Sequence, residues 1–129
     1  MQHSEKIKKD FENSWNEITS YFKESAILKN TEQLDLMINL IHEFKEKGYN
    51  SLVRAGTSLY FLQLTRARLH NGKYSIALKI AINDDNMFEV YKYDYDISNE
   101  KTGFICVNSV FENDTFNSWM SALIEEEIK

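Results

Sequence analysis

The sequence contains no proline, one cysteine, three histidines and four glycines among its 129 residues. A lone cysteine cannot form an intrachain disulfide, and Cys106 lies in the apolar run Phe-Ile-Cys-Val, which predicts a buried and unreactive side chain. The histidines are far apart, so their spacing predicts no metal site. Phosphate-binding loops and nucleophile elbows need closely spaced glycines that are absent here. We therefore expect neither catalytic residues nor a cofactor.

Long hydrophobic runs are also missing. No window approaches the roughly 18 apolar residues of a membrane span, and the N-terminus is charged from Glu5 onward, unlike a signal peptide. We therefore expect a cytoplasmic protein without membrane contact. Hydrophobic residues nevertheless make up 43% of the chain and charged residues 27%, which is typical of a folded protein. The length fits a single globular domain over residues 1–129.

Apolar residues at helical spacing predict three helices. The first covers residues 4–27, where the stripe recurs at steps of three and four. The second begins at Asn30 or Thr31, because Asn30 followed by glutamine three residues later resembles a capping box. The third follows Asn113 or Asp114, either of which can cap a helix.

Between the second and third helices the pattern indicates strands at residues 58–68, 74–83, 87–97 and 104–111. Asn71-Gly72 between the first two is a strong signal for a tight hairpin. The segment 52–58 favours a strand with a bulge at Gly56, although the front of a helix that a strand follows fits it too, and it is not counted among the four strands. The predicted fold class is α+β, in the order α-α-β-β-β-β-α, with a four-stranded antiparallel meander packed against helices.

Charge is distributed unevenly along the chain. Residues 51–83 carry five basic side chains and no acid, whereas residues 84–129 carry eleven acids and three lysines. Opposite charges facing each other across a sheet stabilise it, so the basic strands are predicted to pair with the acidic third strand. The total of −5 disfavours nucleic acid as a partner, because its phosphates are anionic.

The register of the hairpins decides which side chains face the core. A two-residue turn at Asn71-Gly72 places Phe61 on the isoleucine face of the second strand. In the next hairpin, a two-residue loop places three tyrosines on that face, whereas a three-residue loop turns them outward, because a slip of one residue exchanges the two faces. The two-residue loop is favoured, since it buries the tyrosines and aligns acids with bases. The tyrosines are Tyr91, Tyr93 and Tyr95.

A small acidic chain without catalytic motifs is most simply a binding module for another protein, which we expect to be basic. In size, acidity and lack of catalytic motifs it resembles toxin-neutralising immunity proteins, a resemblance that implies neutralisation of a basic partner. The alternative is a small-molecule or anion-binding domain that uses two arginines and the tyrosine strand. The candidate binding residues are Asp94, Asp96, Glu112 and Asp114 for a basic partner, and Arg66 and Arg68 for an anion.

Overall fold

The computed structural model describes residues 5–68 and 72–128, which form two N-terminal helices, an antiparallel sheet and a C-terminal helix. The strands follow chain order across the sheet, so the predicted α+β meander is confirmed, with five strands rather than four. The additional strand lies in the segment that favoured a strand but was not counted. The elements are α1 (Glu5–Ser25), α2 (Thr31–Glu46), β1 (Arg54–Ser58), β2 (Phe61–Thr65), β3 (Ile76–Ile82), β4 (Phe88–Asp94), β5 (Lys101–Val107) and α3 (Asp114–Glu125).

Asparagine side chains begin two of the three helices. The Asn30 Oδ1 atom accepts a hydrogen bond from the Gln33 backbone N–H at 2.9 Å, and Asn113 Oδ1 does the same for Phe116 at 2.9 Å. Each bond satisfies an N–H group that has no partner within the helix. The Gln33 side chain does not complete a capping box; it donates to the Asn83 carbonyl at 3.0 Å and so ties α2 to the sheet.

The hairpin between β2 and β3 has a different register from the predicted one. Leu62 pairs with Ile80 and Leu64 with Leu78, so the two leucines lie on the isoleucine face and Phe61 turns away from it. The register that the predicted two-residue turn implies is wrong, and β2 ends at Thr65 while β3 begins only at Ile76. Leucine burial decides the pairing instead. Residue Asn71 lies outside the described residues.

The hairpin between β3 and β4 also contradicts the favoured register, because its loop has three residues, 84–86. The Asn83 N–H donates to the Met87 carbonyl at 2.9 Å, which closes the hairpin around them. Asn86 has a φ of 59°, a left-handed conformation that asparagine tolerates and that three-residue loops require. The Asn83 side chain fixes the loop further by accepting from the N–H groups of Asp85 and Met87 at 2.9 and 3.0 Å. As a result, the tyrosines of β4 face away from the isoleucines.

The helices cover one face of the sheet and one of its edges. The core side chains of β2 to β4 pack against large aromatic residues of the helices, including Trp15 and Phe44, whose rings are 5.2 Å apart. At the free edge of β1, the Ala55 N–H donates to Ser14 Oγ of α1 at 3.0 Å, and the Trp15 indole N–H donates to the Val53 carbonyl at 3.0 Å. Helix α1 therefore protects backbone groups that an edge strand would expose.

Helix α3 lies against β4 and β5 on the same side as the core. A β-carbon at Gly103 would lie 2.6 Å from Cζ2 of Trp119, so the indole ring packs where only glycine leaves room. Just beyond the helix, the Glu126 carboxylate accepts hydrogen bonds from the N–H groups of Ser75 and Ile76, at 2.7 and 3.1 Å. The end of α3 is thereby attached to the start of β3.

Candidate functional site

The side of the sheet opposite the core carries two neighbouring groups of aromatic rings, which together we call the aromatic face. Phe61 and Tyr91 meet edge to face at 5.7 Å, and Tyr91 lies 5.0 Å from Phe104. In the second group, Tyr93 stacks on Tyr95 at 5.6 Å, and Tyr95 lies 5.8 Å from Tyr74. The aromatic face consists of Tyr60, Phe61, Tyr74, Tyr91, Tyr93, Tyr95 and Phe104.

Small residues on β3 make room for these rings. Ala77 pairs with Tyr93 and Ala81 pairs with Glu89, so methyl groups lie between the larger side chains of β2 and β4. Both alanines are buried beneath their neighbours. Lys79 lies between them and pairs with Tyr91. The alternation of β3 therefore creates two faces: one of leucine and isoleucine towards the helices, and one of alanine and lysine beneath the aromatic face.

Two lysines lie over rings of the aromatic face. Lys79 Nζ is 4.8 Å from the ring centroid of Tyr93, and Lys101 Nζ is 5.0 Å from that of Tyr91 and 5.2 Å from that of Phe104. These are cation–π distances. Even so, 46% of Phe104 and 45% of Tyr60 remain exposed, so the rings are accessible to a partner. Exposed apolar groups of this kind mark interaction surfaces.

The hydroxyl groups of two tyrosines are held in the neutral form. Burial raises the pKa of Tyr91 to about 12, helped by its hydroxyl donating to Glu89 Oε1 at 2.9 Å. Burial also raises the pKa of Tyr95, and nearby Tyr74 and Tyr93 add to the effect. Both phenols therefore keep their protons to a higher pH than an ordinary tyrosine does.

The turn between β1 and β2 holds an apolar residue in a strained conformation next to the aromatic face. Leu59 has a φ of 57° and is 71% exposed. A left-handed conformation costs a bulky residue on the order of 1–3 kcal/mol, and glycine would avoid that cost. The Tyr21 hydroxyl donates to the Leu59 carbonyl at 3.2 Å and helps to hold the turn. The chain thus presents Leu59 and Tyr60 outward at an energetic cost, which is a pattern often associated with binding sites.

A cavity of about 470 Å³ lies where the aromatic face meets the connection between α1 and α2. Its aromatic walls are Tyr60, Phe61 and Tyr91, with Ala81 and Glu89 between them. Residues 27–29 and the β3–β4 loop form the remaining sides. The cavity is large enough for one side chain or a small ligand.

Arg66, predicted to bind an anion, lies in the interior of the protein. It is 7% exposed and donates to the Leu52 carbonyl at 2.6 Å and to the Glu126 carbonyl at 3.0 Å. Burial lowers the pKa of Arg66, and the charge of Glu126 opposes that shift. Arg68 is exposed, and its carbonyl accepts a hydrogen bond from Arg54 at 2.6 Å. Arg66 therefore has a structural role. Its hydrogen bonds join the end of β2 to Leu52, which precedes β1, and to Glu126, which follows α3.

The predicted acidic residues fall into two separate groups. Asp94 Oδ1 accepts from the Asp96 N–H at 3.2 Å, so these two share the turn after β4. Asp114 begins α3, close in sequence to Glu112, and both are exposed. Helix α3 has twelve residues and is therefore about 18 Å long. Its far end leads to Glu126, which contacts Ile76, and Ile76 is the strand partner of Asp94. The four acids therefore do not form one surface.

The predicted charge pairing across the sheet is replaced by packing. Within residues 5–68 and 72–128, ion pairs join Lys8 to Glu5 at 3.9 Å and Lys29 to Asp84 at 2.8 Å. Neither pair joins two strands. Lys79, predicted to face an acid, lies over an aromatic ring instead. The shift of register explains this, since it moves Asp94 off the face that carries Lys79.

The prediction that Cys106 is buried is wrong. Its side chain is exposed, since it pairs with Glu89 on the side of β5 that the helices do not cover. The Asn83 side-chain amide approaches its sulfur at 3.5 Å. An apolar flanking sequence indicated burial, but one face of an edge strand can be open to solvent.

Four members of the aromatic face were not singled out from the sequence: Tyr60, Phe61, Tyr74 and Phe104. One signal for Phe61 was present. Leu62 and Leu64 are more apolar than their neighbours Gln63 and Thr65, and placing both leucines in the core turns Phe61 outward. The position of Phe104 depends on strand pairing rather than on its own neighbours in the sequence, because it lies beside its partner Tyr91 of β4.

A scan against models of protein families finds no match to this chain, and searches of curated proteins and of solved structures likewise find no similar protein. Function is therefore inferred from the chemistry of the aromatic face and the cavity. No helix in the described ranges is both long enough and apolar enough to cross a membrane. Across the same residues, no three His, Cys, Asp or Glu side chains are grouped so that they could hold a metal ion.

Proposed function

We propose that this protein is a non-catalytic binding module that engages a basic protein partner through its aromatic face. The observation that carries the proposal is the pair of neighbouring groups of partly exposed rings on the side of the sheet opposite the helices. Aromatic residues are enriched where protein interfaces gain most of their binding energy, because they bury a large area at a small entropic cost. The exposed Leu59-Tyr60 turn adds apolar surface at the same end.

The overall charge supports a basic partner. The chain carries −5, and residues 84–129 alone carry eleven acids against three lysines. Such a field attracts a cationic protein and raises the rate of encounter, while the rings supply the close contact. Neutralisation of a basic toxin, as in immunity proteins, is one form of this function, and size and acidity are the features that support it.

The alternative of an anion-binding domain ranks second. It needs Arg66 and Arg68 on one surface with the tyrosines of β4. Arg66 donates instead to the carbonyls of Leu52 and Glu126, which makes its guanidinium part of the internal hydrogen bonding. An incoming anion would have to compete with those contacts.

The proposal can be tested with two single variants of the aromatic face. The partner is first identified by capture from the native cell and then purified, and its affinity is measured by calorimetry. Tyr93→Ala and Phe104→Ala should each weaken binding at least tenfold, as truncated aromatic residues at the centre of interfaces do. Ile97, which is 77% exposed in the β4–β5 connection, gives the control Ile97→Ala for loss of apolar surface outside the aromatic face.

Circular dichroism would establish that each variant keeps its fold. Unchanged affinity in both aromatic variants would contradict the proposal. It would do so most clearly if Asp114→Asn, on the helical side of the protein, weakened binding instead.

A further inference from the structure

The cavity at the end of the aromatic face has the walls of an aromatic cage. The rings of Tyr60 and Phe61 stack with centroids 4.7 Å apart, and Phe61 meets Tyr91 at 5.7 Å with an angle of 85° between the ring planes. Two walls therefore stand almost perpendicular to each other. Ring faces attract cations, and cages of this type bind cationic groups. Ala81 also lines the cavity, and its small side chain keeps the space between the rings open.

One acidic group in the cavity has only neutral partners in the described chain. Glu89 accepts from the Tyr91 hydroxyl at 2.9 Å and from the Asn83 amide at 3.3 Å, and both donors are uncharged. These two bonds fix the position of the carboxylate but leave its charge in place. Lys29 also lines the cavity, but it lies 2.8 Å from Asp84, so those two charges offset each other. The remaining charge at the cavity is that of Glu89.

We propose that this cavity binds the guanidinium group of an arginine side chain presented by the basic partner. The identity of the partner rests on the proposed function, whereas the chemistry of the cavity does not. A planar guanidinium can stack on one ring face while it donates two parallel hydrogen bonds to the Glu89 carboxylate. Lysine provides a point charge without a planar surface and fits this combination less well. The volume of about 470 Å³ accommodates such a side chain.

The role of Tyr91 in the site is to orient the carboxylate. Its hydroxyl, which is neutral at physiological pH, donates to Glu89 Oε1 at 2.9 Å. The ring itself remains available as one wall of the cage. Tyr91→Phe should therefore keep the wall and lose only the orientation of Glu89.

The experiment uses small probes and needs no partner protein. Nα-acetyl-arginine amide is titrated into the isotopically labelled full-length protein, and backbone amide shifts are followed by nuclear magnetic resonance. The uncharged analogue Nα-acetyl-citrulline amide is the matched control, because it has nearly the same shape without the charge. The arginine probe should shift the amides of Phe61, Ala81 and Glu89 in a saturable way, and the citrulline probe should not.

Variants then assign the effect to the carboxylate. Glu89→Gln should weaken binding of the arginine probe about tenfold, and Tyr91→Phe by no more than about threefold. Glu12→Gln, which removes an exposed acid on α1, should leave it unchanged. Equal shifts with both probes, shifts confined to another region, or full binding by Glu89→Gln would each overturn the proposal. If Glu89→Gln fails to fold, the comparison of the two probes on the wild-type protein decides.

The outcome is separable from that of the proposed function. Absence of probe binding would refute the arginine site but leave partner binding by the aromatic face open to its own test. The opposite outcome is also possible to distinguish. If the probe binds at the cavity while Tyr93→Ala and Phe104→Ala bind the partner as tightly as the wild type, the cation site is retained and the proposed interface is refuted.

Discussion

Replacing Glu126 with alanine should destabilise the protein, because its carboxylate attaches the end of α3 to the start of β3. The two oxygens accept from the backbone N–H groups of Ser75 and Ile76 at 2.7 and 3.1 Å. The same residue supplies the negative charge that opposes the lowering of the pKa of buried Arg66. The Glu126→Ala variant removes these interactions together.

The expected loss follows from two opposing terms. Hydrogen bonds to a charged group contribute about 1.5–3 kcal/mol each, and Ile76 is only half-buried, so water replaces part of its bond. Two such bonds contribute roughly 2–4 kcal/mol in this setting. A carboxylate at the C-terminal end of a helix is unfavourable by up to about 1 kcal/mol, and its removal offsets part of the loss. The hydrogen bonds outweigh the helix term, which leaves a net destabilisation of about 2 kcal/mol.

Urea unfolding measured by circular dichroism and tryptophan fluorescence gives the test. For an m value of about 2 kcal/mol/M, a loss of 2 kcal/mol lowers the midpoint by about 1 M. Glu126→Gln keeps a side-chain oxygen as acceptor and should lose about half as much. Glu127→Ala, at an exposed neighbouring position, should change the free energy of unfolding by less than about 0.5 kcal/mol. Equal midpoints for Glu126→Ala and Glu127→Ala would refute the reasoning.

Three further predictions concern other parts of the fold. Gly103→Ala should lower the free energy of unfolding by about 1–3 kcal/mol and change the fluorescence of Trp119. Gly56→Ala, with no atom within 4 Å of the new carbon, should lower it by less than about 0.5 kcal/mol. Equal losses in urea unfolding would contradict the packing of Trp119 on Gly103. The pKa of Tyr91 is about 12 when folded, above the unfolded value near 10, so the contribution of its neutral phenol to stability is full below pH 10 and lost as pH rises towards 12. Tyr91→Phe should flatten that decline, and an ultraviolet titration in which wild type and variant release phenol protons identically would argue against it. Asn113→Ala should lower the free energy of unfolding by about 1 kcal/mol through loss of the α3 cap, and an unchanged midpoint would show that the cap is dispensable.

The tyrosines of the candidate site were visible as an alternating pattern in the sequence, but their orientation was not. The alternating tyrosines of β4 indicated a strand with one aromatic face. Whether that face met the core depended on the loop 84–86, where Asn86 adopts a left-handed conformation and makes the loop one residue longer than expected. The shift of one residue exchanged the two faces of β4 and exposed the rings. Predicted charge pairs were lost in the same shift.

The first hairpin shows the same limit. Asn71-Gly72 favoured a two-residue turn on local grounds, yet Leu62 and Leu64 occupy the core, and the strands pair accordingly. A turn signal acts over a few residues and contributes little free energy, whereas burying two leucine side chains contributes about 3–6 kcal/mol. The larger, non-local term sets the register.

What the sequence determined by itself was the three helices and four of the five strands, because helix caps, periodicity and turn residues act between near neighbours in the chain. The caps at Asn30 and Asn113 and the α+β meander followed from such patterns. The tertiary structure alone decided which face of each strand the helices covered, that Arg66 turned inward, and that rings from β2, β4 and β5 met on one side. These features depend on side chains that are distant in sequence, whose packing is settled only when the strands and helices come together.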